Sequence, residues 1–464
     1  MLTTIRAAIA AALLPGFYAL GRVRLEPPAG VVLAGSAAPE LFAMVRELAG
    51  AVGTRTPDEI RLGGEADAAV TEQARRLGLR AGRRYLYLGV PLLQALTVSQ
   101  LRAVVAHELA HYAHRYARLG ALTCRGQRAV VRTLARVGPR SLVGFVLRGY
   151  ARLFFGVSMA VSRRMELAAD QAAVRVAGRS AAAAVLHELP ATGAAWHFYL
   201  STYVYCGLDT GSAPTGVFAG FGELLRARGG DLAEVRAAAA QLTGSQQQAS
   251  RWDPHAPLDA RVALIEREPE SAMLDDPRPA VQLVSGLDGL LAVVEAHTFD
   301  FGDRARVPFA AYTVRAAQLT SQWDADALYR AAAGVAGVAC AGLGTVLELI
   351  GAGRRDALMA ALPGPADPAD QATRFEAVLS NAIGLGLVNA GAASWRHSWY
   401  ERVVLLNRGG LRLAMEPLLE LASPQGVAEL RGLLDALDVD LAAAAVHEAE
   451  PFTVPAARPG RTPG

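Results

Sequence analysis

The stretch Thr97 to Gly120, TVSQLRAVVAHELAHYAHRYARLG, places two histidines four residues apart, with a glutamate directly after the first: His107-Glu108-Leu109-Ala110-His111. If both imidazoles serve one partner, the backbone between them must be helical, because only a helix puts residues i and i+4 on one face a turn apart. The local signals agree. Thr97 and Gln100 have capping-box spacing, and Leu101, Val104, Val105 and Leu109 recur at helical intervals. Arg115 and Arg118 fall in the turn before Gly120, where a helix would end.

On such a helix His107 and His111 project together and can bind one zinc ion, while Glu108 is turned aside to where it can reach a water on that metal. With nine histidines in 464 residues, H-E-x-x-H should arise by chance about once in a hundred such chains. The chain contains its own decoy. His187-Glu188-Leu189-Pro190 opens in the same way, but it has Ala191 in place of the second histidine and a proline expected to disrupt the helix, so it reads as structural.

A catalytic zinc takes three protein ligands and leaves one position for water. His114 shares the face of the other two histidines, but it lies a further turn along a continuous helix, from which reaching the same metal would be strained. The better candidate is in VSRRMELAADQAAVRVAG, where Glu166 and Asp170 stand four apart on a second helical pattern ending at Gly178. Glu166 can complete a two-His, one-Glu set, and Asp170 can accept the free ring N–H of a ligand histidine.

Four segments in order, RRYLYLGVPLLQAL, AVVAHELAHYAH, SRRMELAAD and WDPHAPLDARVALIERE, resemble the HtpX and CAAX prenyl endopeptidase family of zinc metallopeptidases, over about Leu41 to Glu268. The resemblance implies His107, His111 and Glu166 as ligands of one zinc ion per chain, Glu108 as general base and Asp170 as the support behind a ligand. In the last segment the family tends to have His-Pro, with an arginine six residues after the histidine. Here His255 is followed by Ala256 and Pro257, with Arg261 at the matching distance. The implied roles are oxyanion donor for His255 and support of the segment or of a substrate carbonyl for Arg261. Tyr199, Tyr203 and Tyr205 are alternative donors, and a helix cap is the alternative role for His255.

Composition sets the frame. A chain that is 52% hydrophobic and 19% charged is globular and long enough for two or three cores. A net charge of +3 gives no argument for a nucleic-acid partner. Lysine is absent, so every basic side chain other than histidine is arginine, which reads with the abundant alanine as a composition bias. Cys124, Cys206 and Cys340 are far apart and odd in number, which suits a reducing compartment.

Two segments point to a membrane. Ala7 to Gly21 is uncharged but broken by Pro15-Gly16, flanked by Arg6, Arg22 and Arg24, and shorter than the ~20 residues of a spanning helix. It reads as a short anchor, with a buried helix as the alternative. Between the two motif helices, Leu109 to Met165 holds no acidic residue. Arg125, Arg128, Arg132, Arg136 and Arg140 fall near one face of an expected helix, with Val130, Val131, Leu134 and Val137 opposite. Such a helix suits an anionic membrane surface or, alternatively, a solvated face packed on the domain. Two later uncharged runs, Ala331 to Leu347 and Ala377 to Trp395, read as buried helices.

The expected fold is mainly α: a gluzincin-type helical metallopeptidase domain with a small β-sheet, followed by an all-α C-terminal domain. Residues 1–30 form the apolar segment, 31–268 the peptidase domain with a strand near Tyr85 to Val90, 269–280 an acidic linker, 281–450 the C-terminal helices and 451–464 a disordered tail. Trp395, His397 and Trp399 read as packing and surface residues. The expected function is a membrane-associated zinc metalloendopeptidase acting on a protein or peptide from the cytoplasmic side of the cell membrane. The alternatives are an inactive membrane scaffold of the same fold and a zinc-dependent hydrolase of small peptides.

Overall fold

The computed structural model describes residues 29–73, 82–113, 142–229, 258–269, 275–363 and 367–445. The chain divides into two compact units, residues 1–200 with 216–302 and residues 201–215 with 303–464. The first division therefore falls after Leu200 and the last at Gly302, whereas the expected linker lay at 269–280. Residues 275–280 are tied to the first unit: Val98 N–H donates to the Arg278 carbonyl (2.8 Å) and Ala280 N–H to the Leu96 carbonyl (2.9 Å).

The first unit opens with β1 (Val31–Val32), α1 (Pro39–Ala51), β2 (Glu59–Gly63), β3 (Ala68–Glu72) and β4 (Arg84–Gly89). The strands form one sheet in the order β1-β2-β4-β3, with β2 and β4 parallel and the other two pairs antiparallel. β3 is thus an edge strand. Its residues alternate, and Gly89 N–H donates to the Asp67 carbonyl while Gln73 N–H donates to Arg83, so Asp67, Ala69, Thr71 and Gln73 face β4 and Ala68, Val70 and Glu72 face outward. Gly89 is where β4 meets the loop entering β3. A Cβ there would lie 1.8 Å from the Glu65 carbonyl oxygen, so only glycine lets the two backbones approach.

After β4 come α2 (Val90–Ala95) and α3 (Val98–Ala110). α3 begins with the expected reciprocal cap: Gln100 N–H donates to Thr97 Oγ1 (3.2 Å) and Thr97 N–H to Gln100 Oε1 (2.9 Å). Its apolar stripe, Leu101, Val104, Val105 and Leu109, is buried. The helix is shorter than the sequence suggested. It ends at Ala110, and Tyr112 and Ala113 donate to the carbonyls three residues back, which tightens the chain out of the α-helical ladder.

α4 (Leu142–Ala177) stops where Gly178, with φ +89°, turns the chain into α5 (Arg179–Tyr199). α5 corrects one expectation. It runs through Pro190, because that residue is exposed and the carbonyl it leaves without an N–H partner lies one turn back in a helix already fixed by buried neighbours such as Leu186 and Trp196. α6 (Val217–Ala227), α7 (Leu258–Arg267) and α8 (Leu287–Thr298) complete this unit. Trp196 lies at the centre of an aromatic group with Tyr199, Phe218 and Phe221, at ring-centroid distances of 4.9 to 5.6 Å.

The second unit contains β5 (Ser212–Thr215) paired in parallel with β6 (Ala305–Pro308), α9 (Phe309–Ala336), α10 (Leu343–Gly351), α11 (Arg355–Ala361), α12 (Pro368–Asn389), the antiparallel hairpin of β7 (Ala393–Ser398) and β8 (Arg402–Asn407), α13 (Glu416–Leu421) and α14 (Val427–Ala436). It is helical apart from these two short pairs, which the all-α expectation for this region lacked. The run Ala331 to Leu347 is two helices broken around Gly337–Gly342, and Ala377 to Trp395 is the end of α12 followed by the start of β7. Asn381, which interrupts the second run, donates to buried Asp324 Oδ2 (2.6 Å), whose other oxygen takes Arg374 (2.7 Å). Trp399 packs with Tyr203, Phe309 and His397 at centroid distances of 4.2 to 5.5 Å. Among the described residues, no helix is long and apolar enough to cross a membrane.

Candidate metal centre

α3 presents His107 and His111 on one face, one turn apart, and α4 brings Glu166 and Asp170 to meet them. The two Nε2 atoms are 3.2 Å apart, and the rings meet edge to face with centroids 4.8 Å apart. Glu166 places Oε2 at 3.6 Å from His107 Nε2 and Oε1 at 3.5 Å from His111 Nε2. Among the described residues, no other group of three His, Cys, Asp or Glu side chains converges in this way.

Behind this trio is a second row. Asp170, 2% exposed, sets Oδ1 at 3.0 Å from His107 Nδ1. Its carboxylate accepts a forked pair from Arg261 of α7, Nε to Oδ2 (2.8 Å) and Nη2 to Oδ1 (2.6 Å). The guanidinium also lies 3.8 Å from Glu166. The sequence left Arg261 between substrate and structural support, and the structure sets it on Asp170.

The electrostatics follow from burial and pairing. Burial alone would push the His107 imidazole down, but its hydrogen bonds to Asp170 and Glu166 and the charge of Glu108 outweigh that and raise it to about 9. Burial and the neighbouring His107 charge push His111 down to about 4. Burial pushes the Glu108 carboxyl up to about 7, opposed by His107 and by a hydrogen bond from the Val70 backbone N–H. Burial also works against the Asp170 anion, yet Arg261 and His107 hold it below the usual carboxylate range.

The donor set suits a small divalent cation. Four-coordinate zinc binds imidazole nitrogen and carboxylate oxygen at about 2.0–2.2 Å, which separates neighbouring ligand atoms by about 3.3–3.6 Å in a tetrahedron. The three separations found, 3.2, 3.5 and 3.6 Å, match that spacing. Asp170 on Nδ1 assigns the ring N–H of His107 to that side and leaves Nε2 to face the trio.

Residues 39–245, a little under half of the chain, match Peptidase family M48, the HtpX/Ste24-type zinc metallopeptidases. The segment is that of a zinc metalloendopeptidase, an enzyme that hydrolyses peptide bonds. No curated protein and no solved structure matches the chain.

Other candidates fall differently. His114, His255 and the arginine-rich stretch 125–140 lie outside the described residues. The Tyr199 hydroxyl donates to the Val217 carbonyl (2.7 Å) and that of Tyr203 to the Trp399 carbonyl (2.7 Å), so both are engaged in packing, while Tyr205 is exposed. Sequence reasoning missed β3 and with it the Val70 N–H beside Glu108. The signal was faint: Ala68, Val70 and Glu72 alternate with Ala69 and Thr71 over only five residues.

Proposed function

We propose that the chain is a zinc-dependent endopeptidase acting at a membrane surface, in which His107, His111 and Glu166 hold one zinc ion. The observation that carries this reading is the convergence of His107 Nε2, His111 Nε2 and the Glu166 carboxylate, backed by Asp170 and Arg261. Zinc at this point would supply Lewis-acid polarisation of the scissile carbonyl and a lowered pKa for the attacking water. Glu108, poised near neutrality by burial, accepts the proton of that water and passes it to the leaving amine. Asp170 keeps the His107 ring in the tautomer and orientation that aim Nε2 at the trio, and Arg261 holds Asp170 ionised.

The outward edge of β3 supports an extended peptide as substrate. Among the described residues no strand pairs along that edge; there the Val70 N–H meets Glu108 and the Ala68 N–H donates to Asp67 Oδ1 (2.8 Å), which leaves the backbone carbonyls of Ala68 and Val70 and the backbone of Glu72 to meet a substrate strand. A peptide pairing there as an added strand would run past the general base. His255 is assigned as oxyanion donor from the sequence resemblance. The membrane part rests on the Ala7 to Gly21 run and the arginines between 125 and 140, with Phe145 near the start of α4 exposed at 73%. On this reading the catalytic unit lies on the cytoplasmic side, which the three widely spaced cysteines suit as a reducing compartment.

The test is zinc content together with cleavage of an unfolded protein, with and without a chelator. One zinc per chain and cleavage that stops on chelation and returns with zinc are expected. Cleavage that survives complete metal removal rules the mechanism out.

A further inference from the structure

His111 stands at the very end of its helix, where the α-helical ladder no longer holds the backbone. The next carbonyl, that of Tyr112, accepts instead from the side chain of Thr54, at 2.9 Å and from a segment distant in sequence. Thr54 is itself fixed. It comes just after α1, where Gly53 takes φ +74° and Thr54 N–H donates to the Ala49 carbonyl (2.9 Å), a helix end closed by a left-handed glycine.

The Thr54 hydroxyl also receives a hydrogen bond from Arg84 Nη1 (2.9 Å), so its proton is directed to the Tyr112 carbonyl and the donor chain is polarised by a full positive charge. Arg84, 6% exposed at the start of β4, makes further contacts that are equally firm. Nη1 donates to the Arg55 carbonyl (2.7 Å), Nε and Nη2 grip Glu72 of β3 (3.1 and 2.8 Å), and the guanidinium lies over the Tyr112 ring at 5.0 Å. One side chain thus touches the edge strand, the loop after α1 and the residue next to a metal-ligand histidine.

We infer that Thr54 and Arg84 form a positioning clamp for His111, fixing the end of α3 through the Tyr112 carbonyl and ring and tying it to β3 through Glu72. The inference rests on the assignment of His111 as a zinc ligand. His107 needs no such device, because it sits inside the helix with Asp170 behind it. Among the described residues, none places a carboxylate on the second nitrogen of His111, so the backbone on which it stands takes over the task of fixing the ring.

The test compares full-length Thr54→Val, which keeps the branched shape and removes the hydroxyl, with Thr54→Ser, which restores it. Zinc affinity is measured by competition with a chromogenic chelator, and stability of the metal-free chain by urea unfolding. Thr54→Val should bind zinc about tenfold more weakly, with the metal-free unfolding midpoint close to wild type, and Thr54→Ser should bind as wild type does. Glu72→Gln should give a smaller loss, since Arg84 keeps its bonds to Thr54 and Arg55. Wild-type affinity in Thr54→Val, failure of serine to restore it, or a stability loss as large as the affinity loss would each overturn the clamp. Wild-type affinity in Glu72→Gln would remove the link to β3. If the wild-type chain itself bound no zinc, the ligand assignment would be at fault and the clamp would go with it.

Discussion

At the scale of single residues, the centre divides its tasks between neighbours in the chain. His107 and Glu108 are adjacent, yet the helix turns one toward Glu166 and the other toward the Val70 N–H of the sheet edge. Removing the proposed base alone is therefore feasible. Glu108→Gln should abolish proteolysis with zinc still bound, whereas His107→Ala or His111→Ala should lose both, as measured by metal analysis and peptide cleavage. Cleavage by the glutamine variant would show that another group takes the proton. The two carboxylates of α4 should also separate. Glu166→Ala removes the proposed third ligand and should reduce zinc affinity severely. Asp170→Asn leaves the ligand but loses the charge that holds His107 and pairs with Arg261, at a cost of about 10 to 100-fold in affinity or activity. Equal losses in the two variants would contradict this ranking.

At the scale of elements, the parts of the site that sequence made legible were those with helical periodicity and caps. Thr97 and Gln100 announced the start of α3, and the spacing of His107 to His111 and of Glu166 to Asp170 announced shared faces. What stayed hidden depended on partners distant in the chain. β2 and β3 are five residues each, too short for alternation to stand out, and the Thr54, Glu72 and Arg84 network exists only once the sheet has formed. The role of Arg261 was ambiguous for the same reason, because the sequence fixes its distance from His255 but not the carboxylate it meets. α5 shows the opposite error, in which a local rule was overridden by tertiary packing at Pro190. Its cost should still be measurable. Pro190→Ala restores an N–H for the Leu186 carbonyl and relieves the ring contact, so it should stabilise the chain by on the order of 1 kcal/mol, less than the full helix penalty because alanine also loosens the unfolded chain. A lower melting temperature in this variant would mean that the proline ring itself packs usefully.

At the scale of the whole molecule, the proposed attachment to a membrane is separable from catalysis. Replacing Arg128, Arg132 and Arg136 by glutamine removes three charges, each worth about 1 kcal/mol at an anionic surface, so binding to anionic vesicles should weaken and become less sensitive to salt while hydrolysis of a soluble peptide continues. Unchanged vesicle binding would assign those arginines to a solvated face. The close approach at Gly89 has a consequence for any survey of the complete chain by substitution. Even a methyl group at this position collides with the Glu65 carbonyl, and the loop that must yield carries Asp67, whose own carbonyl holds Gly89 N–H just before the edge strand begins. Position 89 would thus score among the least replaceable in the enzyme while contributing no functional group. A ranking of positions by lost activity would place this glycine, which has no side chain, beside Glu108, and only a separate reading of folded protein would tell them apart.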